Sequence, residues 1–333
     1  MKTVSLSISN YCVPCHTHCQ HCLLSSCGKA TGVDFERGLK LGERVINELA
    51  EQKKEINSNY YIGYCMDTPR LFDYIDFKNK YTLVGARFLQ MNGFGFRTDN
   101  ELDSLMKRLK NAGVEMIDLT FYGTEEYHDR FAGRKGDFGF LINMLSFAIK
   151  NELQVIVSIP LLRENTGMMP ELRRMLDERG VEKYSYFLVH NKGRGKLFEA
   201  QRLTKSEFES LPQNIKDSFQ KTKHMTEAEW LASGEIAEPQ KRSLMLVLNP
   251  DNIDYFEKKS AIDILTELEA MDDNFIEKIP PVSELARRFG RPENQQLYRF
   301  RDLLFRWRQE YLKECGMGKY DMQEETHHFS IHM

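Results

Sequence analysis

Five of the seven cysteines in this 333-residue chain fall between Cys12 and Cys27. The centre of that segment reads Cys12-Val-Pro-Cys15-His-Thr-His-Cys19-Gln-His-Cys22. Thiolates are soft ligands that suit zinc or iron–sulfur centres. Two ligand sets compete. Cys12, Cys15, Cys19 and Cys22 could close a four-cysteine zinc site. Structural zinc sites, however, usually pair two short knuckles across a longer loop. Here the four thiols fall within eleven residues. Alternatively, Cys15, Cys19 and Cys22 form C-x3-C-x2-C, which supplies three ligands to a cubane cluster and leaves one iron free for a substrate or cofactor. A disulfide framework would spread an even number of cysteines over a small secreted chain. Metal binding in a reducing cytosol is the better reading.

Rigid elements must hold such a loop. Residues 3–9 (TVSLSIS) alternate as a half-buried strand does, and the cysteine segment follows directly. The pattern then predicts a helix over 35–52, strands over 60–65 and 87–91, and a helix over 99–111. A strand over 116–121, a helix over 138–151, a strongly apolar strand over 155–161, a helix over 170–179 and a strand over 184–189 follow. Six strands alternating with helices imply βαβ units and a parallel sheet. In such sheets chemistry sits at the carboxyl ends of the strands, which is where the cysteines lie. After Leu203 the texture changes. Residues 204–333 read as a smaller, mainly helical region, with a short strand over 243–248 and a turn at Asn249-Pro250-Asp251.

Composition excludes some partners. Charged residues make up 29% of the chain, nearly balanced at a net charge of −3, which gives no sign of a nucleic-acid stripe or a membrane patch. The first residues lack the long apolar run of a secretory signal, and no stretch approaches 18 consecutive apolar residues. A soluble cytoplasmic protein acting on a peptide or a small molecule is expected.

The C-x3-C-x2-C spacing after a first strand resembles the signature of the radical S-adenosylmethionine superfamily. Later segments add to the likeness over roughly residues 5–205: Phe88-Leu-Gln-Met-Asn-Gly93, Asp118-Leu-Thr-Phe-Tyr-Gly123 with Tyr127-His-Asp129, Ser158 with Asn165, and Asn191-Lys-Gly-Arg-Gly195. These are similar to strands three to six of peptide-modifying members. The resemblance implies a partial (β/α)6 TIM-like barrel. It implies one 4Fe–4S cluster on Cys15, Cys19 and Cys22, whose free iron chelates S-adenosylmethionine. Reductive cleavage would give a 5′-deoxyadenosyl radical that abstracts hydrogen from a peptide or protein substrate. An external electron donor such as flavodoxin or ferredoxin would be needed. The likeness also implies cofactor contacts from His21, Asp67, Thr68, Asn92, Thr120, Ser158 and Asn165. Where the family has Gly-Gly-Glu-Pro, this chain has Gly63-Tyr-Cys-Met-Asp-Thr-Pro69, so contacts there would run through the backbone. Members of this type often carry a cysteine-rich extension with further clusters. The tail here has only Cys315, so it reads as a degenerate extension without an auxiliary cluster, and the segment from Ser243 resembles its hairpin stripped of ligands. A small metabolite or nucleoside substrate, or a zinc-bound interaction module without catalysis, are the alternative readings.

Other candidates have bland explanations. Cys65 closes the second strand and should sit at the mouth beside the cofactor, where its thiol could donate hydrogen to a substrate radical; a small buried hydrophobe is the plainer role. Cys12 is read as structural and Cys27 as a free thiol. His16 and His18 suit solvation or cofactor contact. His327, His328 and His332 read as a disordered tail. The aromatic residues of 298–311 suit one packed helix face. Arg287, Arg288, Arg299, Arg301, Arg306 and Arg308 could touch an acidic partner, but a solvated helix face is simpler.

Overall fold

The computed structural model describes residues 1–82, 85–322 and 328–333. Strand β1 (Lys2–Val13) runs straight into the cysteine loop. It is followed by α1 (Phe35–Gln52), β2 (Asn57–Gly63), α2 (Leu71–Tyr81), β3 (Phe88–Gln90) and α3 (Asp99–Asn111). Next come β4 (Met116–Thr120), α4 (Glu125–Ala132), α5 (Asp137–Lys150), β5 (Gln154–Leu161), α6 (Met169–Asp177) and β6 (Lys183–Leu188). The second part contains α7 (Lys205–Glu209), α8 (Gln213–Asp217), β7 (Met225–Thr226), α9 (Glu227–Ala232), β8 (Lys241–Leu248) and α10 (Ile253–Phe256). It ends with α11 (Ala261–Glu277), α12 (Val282–Phe289), β9 (Leu297–Tyr298), α13 (Phe300–Glu314) and β10 (Phe329–His332).

The helices begin where local chemistry starts them. Asp34 caps α1 by accepting from Arg37 N, and Thr98 with Glu101 forms a capping box at α3. Two four-stranded sheets result, ordered β10-β8-β1-β2 and β3-β4-β5-β6, parallel except for β10. In the second sheet Ile117, Leu119, Val157 and Ile159 pack on Leu102, Met106, Leu141 and Leu145 of α3 and α5. In the first, Leu6, Ile8 and Leu246 pack on Val45 and Leu49 of α1 and on Leu265 of α11. Strand alternation therefore turns Ser5, Ser7, Asp118 and Ser158 to the opposite, polar face. The loop after β1 bonds to residues following β3, α4 and β6, so both sheets close on one mouth at their carboxyl ends. This is the partial barrel that the family resemblance implies.

The strand expected over 243–248 is found as β8, which inserts beside β1, with Leu6 opposite Leu244 and Ile8 opposite Leu246. The segment from Ser243 is thus a strand held between β1, parallel, and β10, antiparallel, and not part of a local hairpin. The tail is corrected as well. His332 is buried in β10 with Nε2 2.9 Å from Asp272 Oδ1, and His328 packs edge-on to Phe256. Both histidines are ordered; His327 lies outside the described residues. Arg306 and Arg308 are buried and not solvated, with Arg306 paired to Glu227. The aromatic face agrees with the pattern: Tyr298 and Trp307 are fully buried. No described helix is long and apolar enough to cross a membrane.

Candidate cluster site at the barrel mouth

The cysteine loop is held by its backbone. His16 N donates to Gly93 O (2.9 Å), His18 N to Ala132 O (2.8 Å) and Gln20 N to Phe131 O (2.9 Å). Arg194, in the kinked 3-10 segment Gly193–Gln201, closes the other side. Its guanidinium donates to Cys19 O (2.9 Å) and Ser26 O (2.6 Å), and its own N–H to Cys22 O (3.0 Å). A loop this short has many carbonyls and few partners of its own, so an arginine fork satisfies several at once.

The three thiols share this mouth. Cys15 Sγ and Cys19 Sγ lie 3.1 and 3.4 Å from the same Thr17 hydroxyl, which keeps the two sulfurs within about 6.5 Å of each other. Tyr122 Oη donates to Cys19 Sγ at 3.0 Å, and Ser26 N to Cys22 Sγ at 3.4 Å. Gly93 has φ +80°, and a Cβ there would meet Cys15 Sγ at 2.2 Å, so glycine is what gives the first thiol its room. Among the described residues no three His, Cys, Asp or Glu side chains converge on one ion. A single zinc needs its thiolates about 3.8 Å apart, from a Zn–S bond of about 2.3 Å. A cubane puts each cysteine on a different iron and asks for a wider spread. Three soft thiolate donors are the chemistry that a cubane cluster takes. Cys12 is also spoken for: its thiol donates to Ile62 O at 3.1 Å within the sheet.

Electrostatics distinguish the thiols. The hydrogen bond from Cys65 draws Cys15 down to about 6 against its burial. Burial pushes Cys19 up to about 11 and also raises Cys22. Ligation must therefore displace protons from two buried thiols. Burial, then the nearby Arg194, pushes His21 down to about 4, so its ring is neutral. That ring packs against Tyr122 and Phe131, and its Nδ1 is buried without a partner.

The remaining expected contacts separate into two groups. Asn92 and Thr120 come together: Asn92 donates to Thr120 O (3.1 Å) and accepts from Thr120 N (2.7 Å). Ser158 lies beside them on β5, paired in register with Thr120 and bonded to Asp118. The others do structural work. Asn165 is fully buried and saturated, donating to Tyr122 O and Pro160 O and accepting from Leu162 N, which leaves no N–H for a cofactor. Asp67 accepts from Gly95 N (2.7 Å) and pairs with Arg97. Thr68 accepts from Arg70 N at the start of α2. Cys65 is buried and donates to Pro14 O at 2.9 Å, so it sits against the first ligand and does not face an open chamber.

Sequence reasoning missed Arg194, Tyr122, Thr17 and Asp118. It gave His128 and Asp129 only as adjacent residues of one motif. In the fold His128 Nε2 instead meets Asp137 Oδ2 (3.1 Å), while Nδ1 accepts from Tyr122 N (3.2 Å). This fixes the Nε2–H tautomer and sets the tyrosine that reaches Cys19. Asp129 instead accepts from Phe138 N at the start of α5.

No protein-family model matches the sequence. The Fe-coproporphyrin III synthase of Methanosarcina barkeri (strain Fusaro / DSM 804) is 23% identical over 185 residues, 54% of this chain and 43% of that protein. The chain thus spans less than half the length of that relative. Streptococcus suis SuiB bound to its precursor peptide SuiA shares the fold at TM-score 0.52 and 10% identity, over 78% of this chain and 62% of SuiB. SuiB bound to S-adenosylmethionine gives TM-score 0.52 at 11% identity, over 73% and 58%.

Proposed function

We propose that this chain, a member of the radical S-adenosylmethionine superfamily, binds one 4Fe–4S cluster through Cys15, Cys19 and Cys22 and uses it to cleave S-adenosylmethionine. The observation that carries this reading is the mouth itself: Cys15 and Cys19 share the Thr17 hydroxyl at the carboxyl ends of a partial barrel, Cys22 follows in the same loop, and Arg194 holds that loop. When bound, the pair would supply a 5′-deoxyadenosyl radical that takes a hydrogen atom from substrate. The protein's own residues do the rest. Arg194 and the Gly93 and Ala132 carbonyls fix the loop. Tyr122 donates to a ligand sulfur. His21, Thr120 and Ser158 offer polar groups where a cofactor would lie, and burial of His21 keeps it uncharged there. The bonds Cys65 makes favour packing beside Cys15 over hydrogen donation.

A peptide substrate is the first reading, supported by the shared fold with SuiB, whose structure holds a precursor peptide. A small metabolite is the second, favoured by the sequence match to Fe-coproporphyrin III synthase. An external donor such as flavodoxin or ferredoxin would deliver the electron. The test is anaerobic reconstitution of the full chain. About four irons per chain and dithionite-dependent formation of 5′-deoxyadenosine are expected, both lost in the triple Cys→Ala variant. A folded, colourless, zinc-loaded protein that leaves S-adenosylmethionine intact would overturn the proposal.

A further inference from the structure

A small cavity opens beside the cluster loop, at the carboxyl end of β6. His190 and Lys192 line it from the same turn that carries Arg194; Arg301, Asp302 and Arg308 line it from α13, and Ser330 from β10. Its charge is unusual. Arg308 is 2% exposed, yet among the described residues no carboxylate pairs with it, and its Nε is buried without a partner. Its one side-chain bond is to His332 Nδ1, and the far nitrogen of that ring is held by Asp272. Arg301 has no ion pair among the described residues either. Asp302, the one carboxylate among the described residues of the wall, is engaged by Arg299 (2.8 Å) and lies 3.7 Å from Arg202. A buried guanidinium that no described carboxylate touches directly is incompletely compensated, so an arrangement of this kind favours an added anion.

We infer that this cavity is a carboxylate-recognition site, in which Arg301 and Arg308 grip one carboxylate of the substrate beside the cluster mouth. This rests on the enzyme reading above. The size argues for one small anionic group: about 30 Å³ holds roughly two water molecules, enough for a carboxylate head and too little for a polyanion. The buried Asp302 carboxylate in the wall would repel a phosphate dianion more than a monoanion. Electrostatics agree. Burial draws Arg308 down to about 10, with Asp272, Glu238 and Asp321 acting on it through space, and burial with the neighbouring Arg299 also lowers Arg301. Both cations stand to gain from an incoming negative charge.

The experiment uses the reconstituted full chain under anaerobic conditions, with binding followed by calorimetry or NMR. The probes are N-acetyl-glutamate α-methylamide for a side-chain carboxylate, N-acetyl-alanine for a chain-terminal one, the glutamine counterpart as neutral control, and inorganic phosphate. Saturable binding of either carboxylate but not of the neutral control is expected, weakened at least tenfold in Arg301→Gln and in the charge-conserving Arg308→Lys. Arg301 is solvent-accessible, so Arg301→Gln should fold whatever Arg308→Lys does. No carboxylate binding by the parent protein, undiminished binding in folded Arg301→Gln, or binding of phosphate alone would overturn the inference. Cleavage of S-adenosylmethionine is measured in the same samples. Its absence beside intact carboxylate binding would count against the enzyme reading and leave the site standing.

Discussion

Arg194 Nη2 lies 2.9 Å from the carbonyl oxygen of Cys19, so a residue beyond the sixth strand holds the backbone of the middle cluster ligand. Hydrogen bonds from a charged donor are worth about 1.5–3 kcal/mol each. Arg194→Ala should loosen the loop without unfolding the barrel. The expected result is iron content well below that of the parent after identical reconstitution, at a melting temperature only a few degrees lower. Arg194→Lys should recover part of the iron.

Tyr122→Phe removes the hydroxyl that donates to Cys19 Sγ and nothing else from the core. Hydrogen bonds to ligand sulfurs raise a cluster's reduction potential. The variant should keep its four irons and show a more negative midpoint in an EPR-monitored redox titration. An unchanged midpoint would remove Tyr122 from the cluster's surroundings.

Gly93→Ala combines a positive φ with a Cβ 2.2 Å from Cys15 Sγ. The backbone alone makes this unfavourable by about 1–2 kcal/mol. The clash must move the thiol or the strand end. Loss of the cluster together with a lower melting temperature is expected, whereas Gly113→Ala, whose Cβ would meet nothing within 4 Å, should keep full iron content.

Asp118 faces the barrel interior, where burial raises its carboxyl to about 6 against a hydrogen bond with Ser158. Its folded value lies above the unfolded one of about 3.9. The stability it confers is therefore complete below about pH 4 and lost as pH rises through about 6. Asp118→Asn cannot ionise. Relative to the parent it should gain about 1–3 kcal/mol at pH 7.5 and little at pH 4, read by urea unfolding of the apo chain.

Much of this was legible from residues alone, and the failures share a cause. Helix α1 and helix α3 were placed to the residue because Asp34 and Thr98 mark their starts and their apolar stripes are regular. Helix α2 was missed: Arg70 offers no side-chain cap, and the buried face, built of Leu71, Tyr74, Ile75 and Phe77, is half aromatic and does not stand out as a helical stripe. Partners distant in the chain were harder still. Nothing near His128 announces Asp137 over the adjacent Asp129, and nothing near Arg306 announces Glu227. The strand over 243–248 was recognised, but its partner is 238 residues away, as Leu6 faces Leu244. The cysteine spacing needed no such partner, so the candidate ligands could be named from it while the clamp around their loop could not.

The insertion of β8 beside β1 bears on how the protein is made. At 5–20 residues per second, roughly 10–50 s separate the synthesis of the cysteine loop from that of the strand that covers its neighbour's open edge. During that interval the ribosome-bound chain carries its thiols in a loop after a strand with one edge still open, a surface exposed to oxidation and to edge pairing. Iron delivery would then be timed after translation of β8. Truncating the gene ahead of β8 would yield a product that retains every ligand and yet cannot be kept loaded.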